Sequence, residues 1–141
     1  MDDLLQMESV YAFEDFKNQQ ALDFGLTVLK IVKEKNLKNV RIRVKYDGDI
    51  VFQYLMNGKK SQMWLDLKEK TVMDSGHSSL YVAQQIEHYV YMKDSTDYAV
   101  CGGGFPLIVK GELKGAFCVS GLTDTEDHQL ILEALERMKK Q

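Results

Sequence analysis

Apolar residues recur along this chain with two periods, near 3.6 and near 2, and the switches between them mark out its elements. From Asn18 to Asn36 the residues Ala21, Leu22, Gly25, Val28, Leu29 and Val32 fall at helical spacing. Asn18 is placed to cap that helix, and Lys33 and Lys35 sit in its last turn, where cations suit the helix dipole. Next, Val40, Ile42, Val44 and Tyr46 alternate with Arg41, Arg43 and Lys45, which predicts a strand with one buried and one polar face. Asp47-Gly48 turns the chain tightly into Ile50–Met56, so residues 39 to 57 read as a hairpin. Two helical stretches follow, one with Trp64 and Leu67 on a common face. The other starts near Ser78 or Ser79, with Leu80, Ala83, Ile86 and Val90 aligned.

Beyond the run Cys101-Gly102-Gly103-Gly104, the residues Phe105, Leu107 and Val109 alternate with Pro106, Ile108 and Lys110. The stretch 111–115, GELKG, then predicts a turn, and Ala116–Ser120 a partner strand. At the end, Thr123 and Glu126 have capping-box spacing, and Leu130, Ile131, Ala134, Leu135 and Met138 form an apolar stripe. Hairpins interrupted by helices predict the α+β class, an antiparallel sheet with helices packed on it. No repeat, low-complexity tract or linker divides residues 1–141, so one domain is expected.

Composition narrows the function classes. A net charge of −3 gives no long-range attraction for nucleic acid or for an anionic membrane. No run reaches the roughly 20 apolar residues of a membrane span, and the first residues are acidic where a targeting peptide is basic. The expected location is the cytoplasm, where Cys101 and Cys118 are expected to be thiols rather than a disulfide.

The three glycines invite comparison with phosphate-binding loops, and the comparison fails. A nucleotide-hydrolase loop needs a Gly-Lys-Ser/Thr ending before a helix, whereas these glycines open a strand. Gly58-Lys59 has Gln53 and Lys60 where that motif needs a glycine and a hydroxyl. Leu107 stands where a dinucleotide loop needs its third glycine. What the run permits is positive φ and close approach of another group to the backbone. That group is either the chain itself, at a bulge or bend, or a ligand or neighbouring subunit. Pro106 marks an edge-proximal strand, because proline cannot donate to a ladder.

Other chemistry-bearing residues also admit two readings. His77, Ser78 and Ser79 precede a helix, where free N–H groups suit an anion, although an ordinary serine cap with an exposed histidine is the commoner arrangement. His77, His88 and His128 lack metal-ligand spacing, so no metal site is expected. Cys101 beside the glycines, paired with His77, has the residue types of a nucleophile with an oxyanion hole. His128 in the first turn of the last helix is either solvated or turned toward the glycine loop.

The order of motifs in residues 102–135 (glycines, proline, turn, Gly-Ala, Val-Ser-Gly, acidic helix start) resembles the haem-degrading-domain family, the GlcG/HbpS-like proteins. Trp64, Lys68, Val72 and Gly76-His77-Ser78-Ser79 resemble its cytosolic branch, and the likeness covers about residues 16–138. The resemblance implies a profilin-like antiparallel sheet of about five strands flanked by helices, usually in a symmetric homo-oligomer. It also implies haem, another tetrapyrrole or another small planar ligand, while the helix start at His77 admits a small anionic one. Relatives commonly carry histidine where this chain has Cys101. The ligand-binding residues expected on these grounds are His77, Ser78, Ser79, Cys101, Gly102, Gly103, Gly104, Phe105, Pro106 and His128. An oligomeric binding module is expected first, ahead of a ligand-free interaction scaffold and of an enzyme using Cys101 or His77.

Overall fold

A computed structural model describes residues 3–58 and 61–141. Lys59 and Lys60 of the rejected phosphate loop, and the first two residues of the acidic N-terminus, lie outside the described residues. Six helices and four strands follow in the order α1 (Asp3–Val10), α2 (Asn18–Glu34), β1 (Arg41–Tyr46), β2 (Asp49–Leu55), α3 (Met63–Ser75), α4 (Ser79–Gln84), α5 (Val90–Lys93), β3 (Gly104–Val109), β4 (Glu112–Ser120) and α6 (Asp124–Lys139). A 3₁₀ turn, Ile86–His88, stands between α4 and α5.

The strands form one antiparallel sheet in the order β2-β1-β4-β3. Both hairpins close on two residues with positive φ, Asp47-Gly48 and Lys110-Gly111, which suits the right-handed twist of the flanking strands. The second turn therefore comes earlier than its sequence suggests, and Glu112, Leu113 and Lys114 belong to β4. The sheet has four strands, not about five. Beside β3, the fifth position is filled by a single residue: Phe13 accepts from Lys110 N–H (2.8 Å) and donates to the Ile108 carbonyl (2.8 Å). That bridge covers part of an edge on which Pro106 sits.

Helices cover both faces. On one, Ile42, Val44, Phe105, Phe117 and Val119 meet Ala21, Phe24, Val28 and Ile31 of α2 and Leu130, Ile131 and Ala134 of α6. Phe24 and Ile31 hold the places in the stripe that Leu22 was expected to share; Leu22 is exposed. Lys17, not Asn18, is the cap of α2, its N–H bonded to the Gln20 side chain at 2.7 Å. Thr123 and Glu126 form the expected capping box on α6.

The other face of the sheet is polar in sequence yet buried, because α3 lies on it. Arg43 Nη1 reaches Asp66 (2.7 Å) and Glu69 (2.9 Å), and Lys45 Nζ reaches Glu69 (3.0 Å). Leu65 and Val72 of α3 pack on Ala116 and Cys118 between these charges. Trp64, expected on the buried face of α3, is exposed, and Leu67 is only half-buried. The next predicted helix breaks into α4, the 3₁₀ turn and α5, which leaves Val90 exposed. No helix among the described residues is long and apolar enough to cross a membrane.

Candidate functional site

The glycine run lies where α3, α4 and α6 converge on the start of β3. Gly102, Gly103 and Gly104 are all buried, and the atoms against them belong to the chain itself. A Cβ on Gly102 would collide with the Asp124 carbonyl, and one on Gly104 would stand 2.8 Å from Val72 Cγ2. Gly103 has φ +121°, and a Cβ there would run into Lys68 Nζ and the Val119 carbonyl. Its own carbonyl accepts from Val119 N–H at 2.8 Å. The loop before the glycines is tied to α3 by Thr71, whose Oγ1 donates to the Ala99 carbonyl (3.1 Å) and accepts from Ala99 N–H (3.0 Å).

Lys68 is the group for which the glycines make room. Its side chain is 4% exposed, and its ammonium donates to the Val119 carbonyl (2.9 Å) and to Asp127 Oδ2 (3.1 Å). Asp127, 3% exposed, also accepts from Leu122 N–H through Oδ1 at 3.0 Å, which fixes the start of α6. A buried charge persists only when paired and hydrogen-bonded, and Lys68 and Asp127 meet that condition together. The pair opens on a cavity of about 160 Å³ whose walls include Trp64, Cys101, Ser120 and Asp124.

Of the sequence-predicted residues, only Cys101 lines this cavity, half-buried at its wall. Cys118 is fully buried, and burial pushes its thiol up to about 12. No disulfide joins them. His77 sits elsewhere, its Nδ1 2.9 Å from Glu8 Oε1 and its ring against Tyr81. The other Glu8 oxygen accepts from Ser78 N–H at 2.9 Å, so the anion at this helix start is the chain's own buried carboxylate from α1. Ser78 Oγ caps α4, and Ser79 Oγ accepts from Gly104 N–H at 2.9 Å. Phe105 and Pro106 are buried in β3. No group of three or more metal-ligating side chains occurs among the described residues.

His128 does face the glycine loop: its Cβ lies beside Gly102 and its ring 6.0 Å from that of Phe105. Both ring nitrogens are buried without a hydrogen-bond partner, and burial lowers its pKa from 6.5 to about 4. The folded chain thus holds this imidazole neutral at a pH where the unfolded chain protonates it. The stabilising difference is complete above pH about 6.5 and is lost as pH falls toward 4, a change of about 3 kcal/mol. Urea unfolding at stepped pH is expected to show this slope, and His128→Phe to flatten it.

In the sequence, Lys68 stands out only through family likeness, and Asp127 has no role beyond belonging to the acidic helix start. The signal available was a lysine four residues before Val72 on a helix whose apolar stripe is incomplete, which marks a polar group facing inward.

Sheet, helical layers and a glycine-covered ion pair define an α+β protein with its polar centre between sheet and helices. The chain belongs to the family described as haem degrading protein HbpS-like, whose model matches residues 16–136. It is similar to a UPF0303 protein of Psychromonas ingrahamii, at 37% identity over 150 aligned residues, covering 99% of this chain and 93% of the relative. Among solved structures it is similar to the Ybr137w protein, with TM-score 0.88 and 26% identity over 99% of this chain and 87% of the other. A PduOC:heme complex matches with TM-score 0.67 over 86% of this chain and 93% of the other, and at 13% identity that likeness concerns the fold.

Proposed function

We propose that this protein is a non-catalytic, homo-oligomeric binding module that takes a small planar ligand in the cavity above Lys68 and Asp127. The carrying observation is that the buried Lys68–Asp127 pair lines this cavity together with Trp64 and Asp124. An ammonium has three donors, and Val119 and Asp127 use two of them. We assign the remaining donor to an acceptor in the cavity, while Asp124 offers a carboxylate to a donor and the partly exposed Trp64 a ring to a flat body. A planar amide, with acceptor and donor at one end, matches that set.

The family's description and the haem complex of a structural relative support a tetrapyrrole as the second reading. The residues of this cavity do not fit it. About 160 Å³ falls below the roughly 300–1,000 Å³ of sites that enclose a drug-sized ligand. The carboxylates of Asp124 and Asp127 in its walls would also disfavour an anionic tetrapyrrole. The Cys101-His77 pairing of the enzyme reading has no support in the cavity, since His77 is engaged by Glu8 and is not among its lining residues. For the proposed oligomer, the glycine backbone is already covered by its own helices, whereas Ile50, Tyr54 and Leu55 of edge strand β2 are exposed. A ligand-free scaffold using the same strand is the remaining reading.

Trp64 is the only tryptophan of the chain, so its emission reports this cavity. Titration with benzamide is expected to change it saturably, with a Kd of roughly 0.1–1 mM, and benzoate to bind more weakly beside the two aspartates. No saturable change with benzamide, alongside a Soret shift with haemin that Cys101→Ser abolishes, replaces the small ligand by a tetrapyrrole.

A further inference from the structure

A second cavity, of about 380 Å³, opens on the opposite helical layer, between the elbow that joins α1 to α2 and the last turns of α6. Its volume lies within the range of small-molecule sites. Its floor is preorganised. Phe13 is fixed by both backbone bonds to the β3 edge, and its ring meets Phe16 edge-on at 5.0 Å. Leu135 is buried in the core, and Tyr11 is held by a 2.6 Å hydrogen bond from its hydroxyl to Glu136. Met138 adds an unbranched, adaptable wall.

The rim carries the charge that selects a partner. Asp23 and Glu14 stand on it against one cation, Lys139. The Lys139 ammonium is turned to the Val10 carbonyl (3.3 Å) and lies 5.7 Å from the centre of the Tyr11 ring. Asp23 receives a single side-chain bond, from Gln19 Nε2 to Oδ1 at 3.2 Å, which leaves Oδ2 able to accept. We infer that this cavity binds a hydrophobic amine, its ring on Phe13, Leu135 and Met138 and its ammonium between Asp23 and Glu14. A carboxylate on the same ring meets two like charges at the rim and is disfavoured.

Isothermal titration of the whole protein with 2-phenylethylammonium and, separately, with phenylacetate tests the assignment. The amine is expected to bind saturably and at least about tenfold more tightly than the acid. The Glu14→Gln/Asp23→Asn variant changes rim residues only, and it is expected to keep the melting temperature while weakening the amine about tenfold or more. Trp64 emission stays unchanged throughout, because Trp64 lines the other cavity. No saturable amine binding, equal binding of amine and acid, unchanged affinity in the variant, or a Trp64 response that tracks the amine each overturns it.

Discussion

Gly103→Ala is expected to lower the unfolding free energy by about 4 kcal/mol, several times the cost of the same change at Gly111. Two effects add at Gly103. A side chain at φ +121° carries backbone strain of roughly 1–3 kcal/mol. The new methyl also meets Lys68 Nζ and the Val119 carbonyl, so the ammonium must leave its two partners or β4 must move. Gly111 has φ +79° with nothing within 4 Å of an added Cβ, so it carries the strain alone, about 1 kcal/mol. Urea midpoints at unchanged slope give both numbers. Equal losses at the two glycines contradict the packing of Lys68 against Gly103. Gly103 substitutions therefore test the fold before they test any ligand.

Removing one partner of the buried pair has an effect of similar size. Lys68→Met leaves Asp127 buried without its cation, and Asp127→Leu leaves the ammonium with one carbonyl; each is expected to cost about 3–5 kcal/mol. The double variant removes both charges and is expected to cost well under the sum of the two, by at least about 2 kcal/mol. Additive losses in that cycle contradict a coupled pair. Asp127 also accepts from Leu122 N–H, so Asp127→Asn, which keeps an acceptor there, is expected to be the mildest single change.

Much of the scaffold was legible because local chemistry and tertiary packing agree. Asp47-Gly48 makes the first hairpin, and the Thr123 capping box and the stripe from Leu130 to Leu135 make α6. Where they disagree, the largest failure lies on the second face of the sheet, which is buried although its residues are charged and partly ion-paired. Arg41 and Arg43 alternate with apolar residues as solvated positions do, yet both are 3% exposed. Asp66, Glu69 and Lys68 make α3 read as a surface helix with Trp64 turned inward, when they are the groups that dock it. Helix α1 has little apolar patterning, and its docking includes the polar contact of Glu8 with His77 and Ser78. The glycine run was legible as a backbone approach; the side chain that approaches came from a helix over thirty residues earlier, which spacing cannot reveal.

The central claim is that the cavity beside Lys68 is the ligand seat, and Cys101 reports its occupancy directly because it lines the same walls. Cys118 contributes no background, being fully buried with its thiol pushed up to about 12. The decisive measurement is the rate of Cys101 alkylation by iodoacetamide, followed by intact mass, with and without saturating benzamide. Occupation is expected to slow the rate at least about fivefold, as a bound ring excludes the reagent from the thiol. An unchanged rate under conditions where the fold is intact contradicts the assignment of this cavity as the site.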